Sequence, residues 1–353
     1  MKDTRNKRLR LFDIQRDGKG ISKKEKLPVS GLKRFFITLK NNFGKIVSVN
    51  MFMVLGNFPL FFLLITLSGY TKLETYSPLN DIFQSFGGLF TIEGADPATM
   101  SLYALEGLQN KVLVNSTLTY VFYGIAALAL FTFGIINAGT AYILRNIAMG
   151  EPVFVWADFW YAVKRNWRQA LPFGIIDGII HCVLIVNITS MVSGTANIFA
   201  SMMFWCNIIL FILYFFMRCY IYVQMVTFKM SVFKILKNSL IFSLLGFKRN
   251  ILALLGAAIV ISLEIVFLFG SGGILVSLAV AMPLAIMFGL MAYMKVYASY
   301  FKIKEIIIDP YKAEHPELYD DASDDDDDEI VMRDDVTERE RLLETKRRNN
   351  ITE

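Results

Sequence analysis

The run IFASMMFWCNIILFILYFFMRCYIYVQMV, residues 198–226, decides how the chain is to be read. It exceeds the ~20 apolar residues that a helix needs to cross a bilayer, and Arg218 is its one charged residue. Just before it stands VSGTAN (192–197), an uncharged cluster of turn formers. Before that lies a second apolar run, from about Ala170 to Met191. Two such runs joined by so short a turn make an antiparallel helical hairpin. Further runs cover about Ile46–Ser68, Leu118–Leu144, Ile251–Phe269 and Ile274–Val296, and GSGG (270–273) joins the last two. The expected fold class is all-α, a polytopic membrane helical bundle of six transmembrane helices.

Composition agrees. Hydrophobic residues make up 55% of the 353 residues, and much of the polar content lies at the two ends. The 30 Phe and 16 Met suit lipid-facing and helix-packing surface better than a cofactor box. Cys182, Cys206 and Cys219 fall inside apolar runs, with neither paired spacing nor a metal-ligand pattern, and are read as buried thiols.

Charge sets the expected orientation. Residues 1–45 are rich in Lys and Arg; the second connection carries Arg145, Lys164, Arg165 and Arg168, the fourth Lys229, Lys234, Lys237, Lys248 and Arg249, and the tail begins with Lys302 and Lys304. Residues 70–117 hold only Lys72 and Lys111 against Glu74, Asp81, Glu93, Asp96 and Glu106. Basic connections stay in the cytoplasm, so both termini are expected inside. The first apolar run starts too late, and is too long, for a cleavable signal peptide.

One phrase recurs at the basic ends. It reads LKNNFGKI (39–46), with Lys40, Asn42 and Phe43; then VKRNWRQA (163–170), with Lys164, Arg165, Asn166 and Trp167; then FKRNILAL (247–254), with Lys248, Arg249 and Asn250. Each copy follows a short segment with an apolar face: 31–39, 156–163 and 234–245. These segments are read as interfacial helices, and the phrase as the corner where a surface helix turns into a spanning one. At such a corner Lys and Arg meet anionic headgroups, the aromatic ring sits at the boundary, and Asn caps the new helix. Gln169, three after Asn166, resembles the partner in a capping box. The chain then divides into three hairpin-like repeats. The first contains the insertion 70–117, expected to form a small extracytoplasmic cap that includes the apolar patch IFQSFGGLF (82–90).

The domain reading is a basic cytoplasmic tail (1–29), a membrane domain (30–308) and an acidic, disordered cytoplasmic tail (309–353). The block DDASDDDDDE (320–329) is a solvated charge run, since a calcium loop needs interspersed Gly and spaced ligands. The basic head is expected to lie on anionic lipid, and nothing calls for a nucleic acid.

The stretch 137–174 resembles the signature of the YesL family of bacterial integral membrane proteins, a domain of unknown function. The residues that carry the likeness are Gly139, Ala141, Tyr142, Arg145, Gly150, Glu151, Asp158, Phe159, Trp160, Lys164, Asn166, Trp167 and Gln169. FKILKNSLIFSL (233–244) is similar to the family's second such run, and NFPL (57–60) to its first-span region. The insertion and both charged tails depart from the family. The resemblance implies a multi-spanning protein of the bacterial cytoplasmic membrane, linked with carbohydrate uptake, and implies no chemistry.

His181 and His315 are the two histidines, and no phosphate loop, paired-Cys motif or His–Glu metal motif is present, so neither enzyme activity, cofactor nor metal is expected. The informative residues are polar ones inside the spans, which are costly in lipid and so face the bundle. They are Asp177, His181, Tyr214, Arg218, Glu264, Asn57 and Asn137, with Asn50 on the same face as Asn57. Asp177 and Arg218 are each about 20 residues from the VSGTAN turn, which puts them at similar depth and predicts a hydrogen-bonded pair, with His181 opposite Tyr214. Two functions fit: a non-catalytic accessory that docks on a transporter or sensor, or a small-solute transporter or channel built on repeated hairpins. Pro59, Pro172 and Pro283 do not occupy matching repeat positions, and the spans are expected to lack the broken pairs of a carrier.

Overall fold

The computed structural model describes residues 31–78, 96–98, 101, 109–192, 198–270, 272–314 and 332–333. The chain falls into two units, Met1–Asn41 and Asn42–Glu353. The described part of the first is helix α1 (Leu32–Asn41), with Lys40 in its last turn, where a cation suits the helix dipole.

The second unit begins with α2 (Phe43–Gly56) and α3 (Pro59–Leu67), bent by 64° from one another. The break has a local cause: Pro59 removes a backbone donor, and Asn57 leaves helical geometry at φ −106°. Strands β1 (Lys72–Pro78) and β2 (Gln109–Asn115) pair antiparallel, Lys72 opposite Asn115. The insertion therefore stands on a β-stem that the sequence reading did not anticipate, and its apolar patch lies outside the described residues. Ser116 closes the stem: its hydroxyl donates to Thr71 O (2.6 Å), and with Thr119 it forms a capping box for α4 (Thr117–Ala127).

α4 runs into α5 (Ala129–Met149), which ends at Gly150 in the left-handed region, φ 90°. Then come α6 (Val155–Val192), α7 (Ile198–Thr227), β3 (Phe228–Lys229), α8 (Val232–Leu245) and α9 (Phe247–Ile265), which widens into a π-turn at Val266–Gly270. The last span is α10 (Val276–Met282), a π-turn at Pro283–Met287 and α11 (Phe288–Ile303). A further π-turn leads into α12 (Asp309–Glu314), and β4 (Met332–Arg333) pairs parallel with β3. Among the described residues five helical runs are long and apolar enough to cross a membrane: 117–149, 155–191, 198–227, 247–270 and 276–311. The bent α2–α3 pair makes a sixth if it is one span.

The expected corners fare unequally. α8 and α9 are separate helices, parted at Gly246 (φ −93°, ψ 13°), and α2 starts after Asn42. The middle copy holds no corner: 156–163 and the third span are one helix, α6, running through Asn166 and Pro172. No Gly interrupts this copy. Asn166 stays helical by donating Nδ2 to Ala162 O (2.9 Å), the i−4 bond that lets Asn sit in mid-helix.

Burial is concentrated towards the ends nearest the basic connections. Ala138–Ala148 on α5 and Cys219–Val226 on α7 are buried throughout, whereas no residue of α7 from Ile198 to Phe215 is buried. Gly134 on α5 and Gly174 on α6 let two backbones meet: a Cβ on Gly134 would lie 2.6 Å from Gly174 Cα. Large apolar side chains such as Ile179, Val183, Leu255, Ile259 and Val280 point outwards, as lipid as solvent requires. Cys219 is buried as expected, but Cys182 and Cys206 are exposed on this apolar exterior, because a thiol is apolar enough to face lipid.

Candidate functional site

Asp177 is fully buried on α6 and faces three residues of α7 at helical spacing, Tyr214, Arg218 and Tyr222. Arg218 Nε donates to Asp177 Oδ2 at 2.9 Å, Tyr222 Oη donates to the same oxygen at 2.6 Å, and Tyr214 Oη donates to Oδ1 at 2.7 Å. His181 Nδ1 lies 2.8 Å from Asp177 O and 3.1 Å from Oδ1. A buried carboxylate is tolerated where charge and donors surround it, and both of its oxygens are engaged. The rings of Phe133 and Tyr222 lie 4.8 and 5.6 Å from the guanidinium carbon, which shields the pair further. The structure thus brings together Asp177, His181, Tyr214 and Arg218.

Asn50 builds a second tie. Fully buried on α2, it donates Nδ2 to Pro283 O (3.0 Å) and Leu284 O (2.7 Å), and Gly289 N–H donates to its Oδ1 (2.8 Å). These backbone groups lie at the π-turn of the last span, where the regular ladder is broken. Gly289 permits the approach, since a Cβ there would lie 2.7 Å from Ile46 O.

The other predicted residues do not join either tie. Asn137 donates to Phe133 O on its own helix (2.7 Å). Asn57 donates to Met53 O (2.9 Å) at the α2–α3 bend, and its buried Oδ1 has no hydrogen-bond partner among the described residues. The same holds for Glu264 Oε2, far along α9.

The capping role assigned to Asn is overturned at all three copies. Asn42 stands at the N-cap of α2 without a side-chain cap bond, and Asn166 lies in mid-helix. Asn250, inside α9, donates to Ser243 O (2.9 Å) and accepts from Tyr220 Oη (2.7 Å). It ties α8 and α7 to α9, because a buried amide gains more from satisfying groups on neighbouring helices than from its own terminus. Gln169 donates to Met230 O (3.0 Å) instead of completing a capping box. Phe43, Lys164, Trp167 and Lys248 are exposed, Arg165 donates to Tyr161 Oη (3.1 Å), and Arg249 pairs with Glu305 (3.2 Å).

Three functional candidates escaped the sequence reading. Tyr222 was detectable as the i+4 neighbour of Arg218. Arg145, only 2% exposed, donates to Val226 O (3.2 Å) and ties α5 to α7. Lys295 on α11 lines a cavity of ≈ 30 Å³ together with Asn137, Thr140, Arg218, Cys219 and Tyr222. A larger hollow, ≈ 280 Å³, runs along one open face of α9 between Leu255 and Val266 and is surface that lipid fills.

Fold and ties define an all-α protein with helices suited to crossing a membrane, locked by buried polar contacts. The family model described as "Protein of unknown function, DUF624" matches residues 113–188. The matched stretch takes in α4, α5 and α6 to residue 188, including Gly134, Gly174, Asp177 and His181, but none of the α7 partners. It also overlaps the stretch that resembles the YesL family. Comparison with curated proteins and with solved structures finds no match.

Proposed function

We propose that the protein is a non-catalytic accessory of a bacterial cytoplasmic membrane that docks on a transporter or sensor. The carbohydrate-uptake setting comes from the YesL resemblance. The observation that carries the reading is the arm formed by the outer parts of α6 and α7. Ile185, Val186, Ile198, Phe199, Met202 and Trp205 on it are all exposed. A contact between Asn187 Nδ2 and Asn207 Oδ1 (3.5 Å) joins its two helices. An arm with this much exposed apolar surface, joined at its base by the Asp177 tie, suits packing against the helices of a second membrane protein. Both termini then face the cytoplasm, with the basic residues of the corners against anionic headgroups.

The carrier reading has one point in its favour, since the first span is bent at Asn57–Pro59 and the last widens into a π-turn at Pro283. Asn50, however, occupies backbone groups at that π-turn. The cavity beside Arg218, ≈ 30 Å³, is far below the ~300–1,000 Å³ of sites that enclose an organic ligand.

Purification from native membranes tests the proposal. A transporter or sensor is expected in stoichiometric amount, and its recovery should fall when Phe199 and Trp205 are replaced by Ala. Solute flux by the protein alone in liposomes would overturn it. Single cysteines at Ser22 and Ala95, in a background without the native three, report orientation: an impermeant thiol reagent should label the second position in intact cells and spare the first.

A further inference from the structure

The Asp177 tie leaves donors over. Asp177 neutralises Arg218 but bonds it through Nε alone. Neither terminal nitrogen of that guanidinium has a hydrogen bond among the described residues, and Arg218 lines the ≈ 30 Å³ cavity. Lys295 enters the same cavity from α11. Its ammonium makes no ion pair or hydrogen bond among the described residues, and the aromatic face recorded for it is Phe215, 5.8 Å from the ring centre. Two cations and one carboxylate therefore meet between α5, α6, α7 and α11, inside a bundle whose surroundings are apolar. A cation taken out of water needs a counter-charge.

We propose that this cavity is an anion site that takes a single halide-sized ion between the Lys295 ammonium and the free amino ends of Arg218. Size and chemistry agree. One water needs roughly 10–15 Å³ of such volume, so a cavity of ≈ 30 Å³ matches a chloride or bromide ion better than an organic anion. Among the described residues the Lys295 ammonium and the terminal nitrogens of Arg218 have no acceptor, and Asp177, already bonded by Tyr214, Tyr222 and Arg218, does not line the cavity. The ion would tie α11 to α7 as Asp177 ties α6 to α7. The inference is independent of the docking proposal.

Thermal unfolding of the purified full-length protein in detergent tests it, in sodium chloride, sodium bromide and sodium gluconate at equal ionic strength and pH. Halide should raise the melting temperature, and above Kd the rise should follow the logarithm of halide concentration, the folding equilibrium constant growing by about the ratio of that concentration to Kd. Gluconate, too large for the cavity, should give no such rise, and Lys295→Met should abolish it. Crystals grown in bromide should show an anomalous peak between Lys295 and Arg218 of the wild-type protein, a measurement that stands even if the variant fails to fold. Equal melting in halide and gluconate, as when Lys295 sheds its proton instead, would overturn the proposal. So would a halide response that survives in Lys295→Met, or a cavity without bromide.

Discussion

The Asp177 tie and the Asn50 tie solve the same problem by opposite means. Both place a fully buried polar side chain between helices with apolar exteriors. Asp177 meets side chains: Tyr214, Arg218 and Tyr222 on the neighbouring helix of its own hairpin, and His181 one turn along its own helix. Asn50 meets backbone, and joins the first span to the last, more than 230 residues away. The comparison teaches where each kind of polar group is stable without water. A charge needs an opposite charge, which a hairpin delivers at matched depth. An amide carries donors and an acceptor at once, so it can stand in for a missing piece of helical ladder.

The largest expected effect separates the two. Asp177→Asn leaves Arg218 as a buried charge without its counter-ion and should lower stability by about 3–5 kcal/mol, measured by unfolding in detergent. Arg218→Gln in the same background should restore part of the loss, with a coupling of roughly 0.5–3 kcal/mol. Additive effects would mean that the ion pair is geometry without energy, and would erase the distinction from Asn50.

Asn50→Ala should cost less, about 1–3 kcal/mol, because it orphans neutral backbone groups at the Pro283 turn. The amide of Gly289 should also exchange hydrogen faster. An Asn50→Leu protein as stable as the wild type would show that the residue only fills space, and the parallel between the ties would fail.

The smallest effect sharpens the contrast between the middle repeat and its neighbours. Asn166→Ala should stay within about 0.5 kcal/mol of wild type, since α6 is continuous there and the gain in helix propensity offsets the lost bond to Ala162 O. A loss of about 0.5–2 kcal/mol, the usual cost of a removed cap, would restore a corner that the structure does not have.

The reading of the sequence reached far in the places where interactions are local or fixed by symmetry. Run lengths gave the helices, because solvation in lipid acts on neighbouring residues; α6 pairs with α7 and α9 with the last span as the hairpins require, while residues 193–197 and 271 of the two turns lie outside the described residues. The Asp177–Arg218 pair was legible for the same reason: equal spacing from one turn places two residues side by side. The corners were over-read. Lys-x-Asn-aromatic says that a segment is basic and amphipathic, but it does not fix whether the backbone breaks. Gly246 breaks it, while the residues around Asn166 are helix formers and do not.

What only the tertiary structure decided are the contacts between segments distant in sequence. Asn50 was visible as a polar residue in a span, yet its partners are backbone groups of Pro283, Leu284 and Gly289, at and just after the π-turn of the last span. Lys295, inside the last apolar run, was not singled out by the sequence, and only the packing of α11 against α5 and α7 brings it to the cavity that Arg218 lines. The sequence by itself determined an all-α membrane bundle and the charged pair of its α6–α7 hairpin, since hydrophobic length and turn spacing are properties of the chain. Which helix closes against which was decided by three-dimensional packing, where the approach of Gly134 to Gly174 and the satisfaction of freed backbone groups depend on partners that no local pattern names.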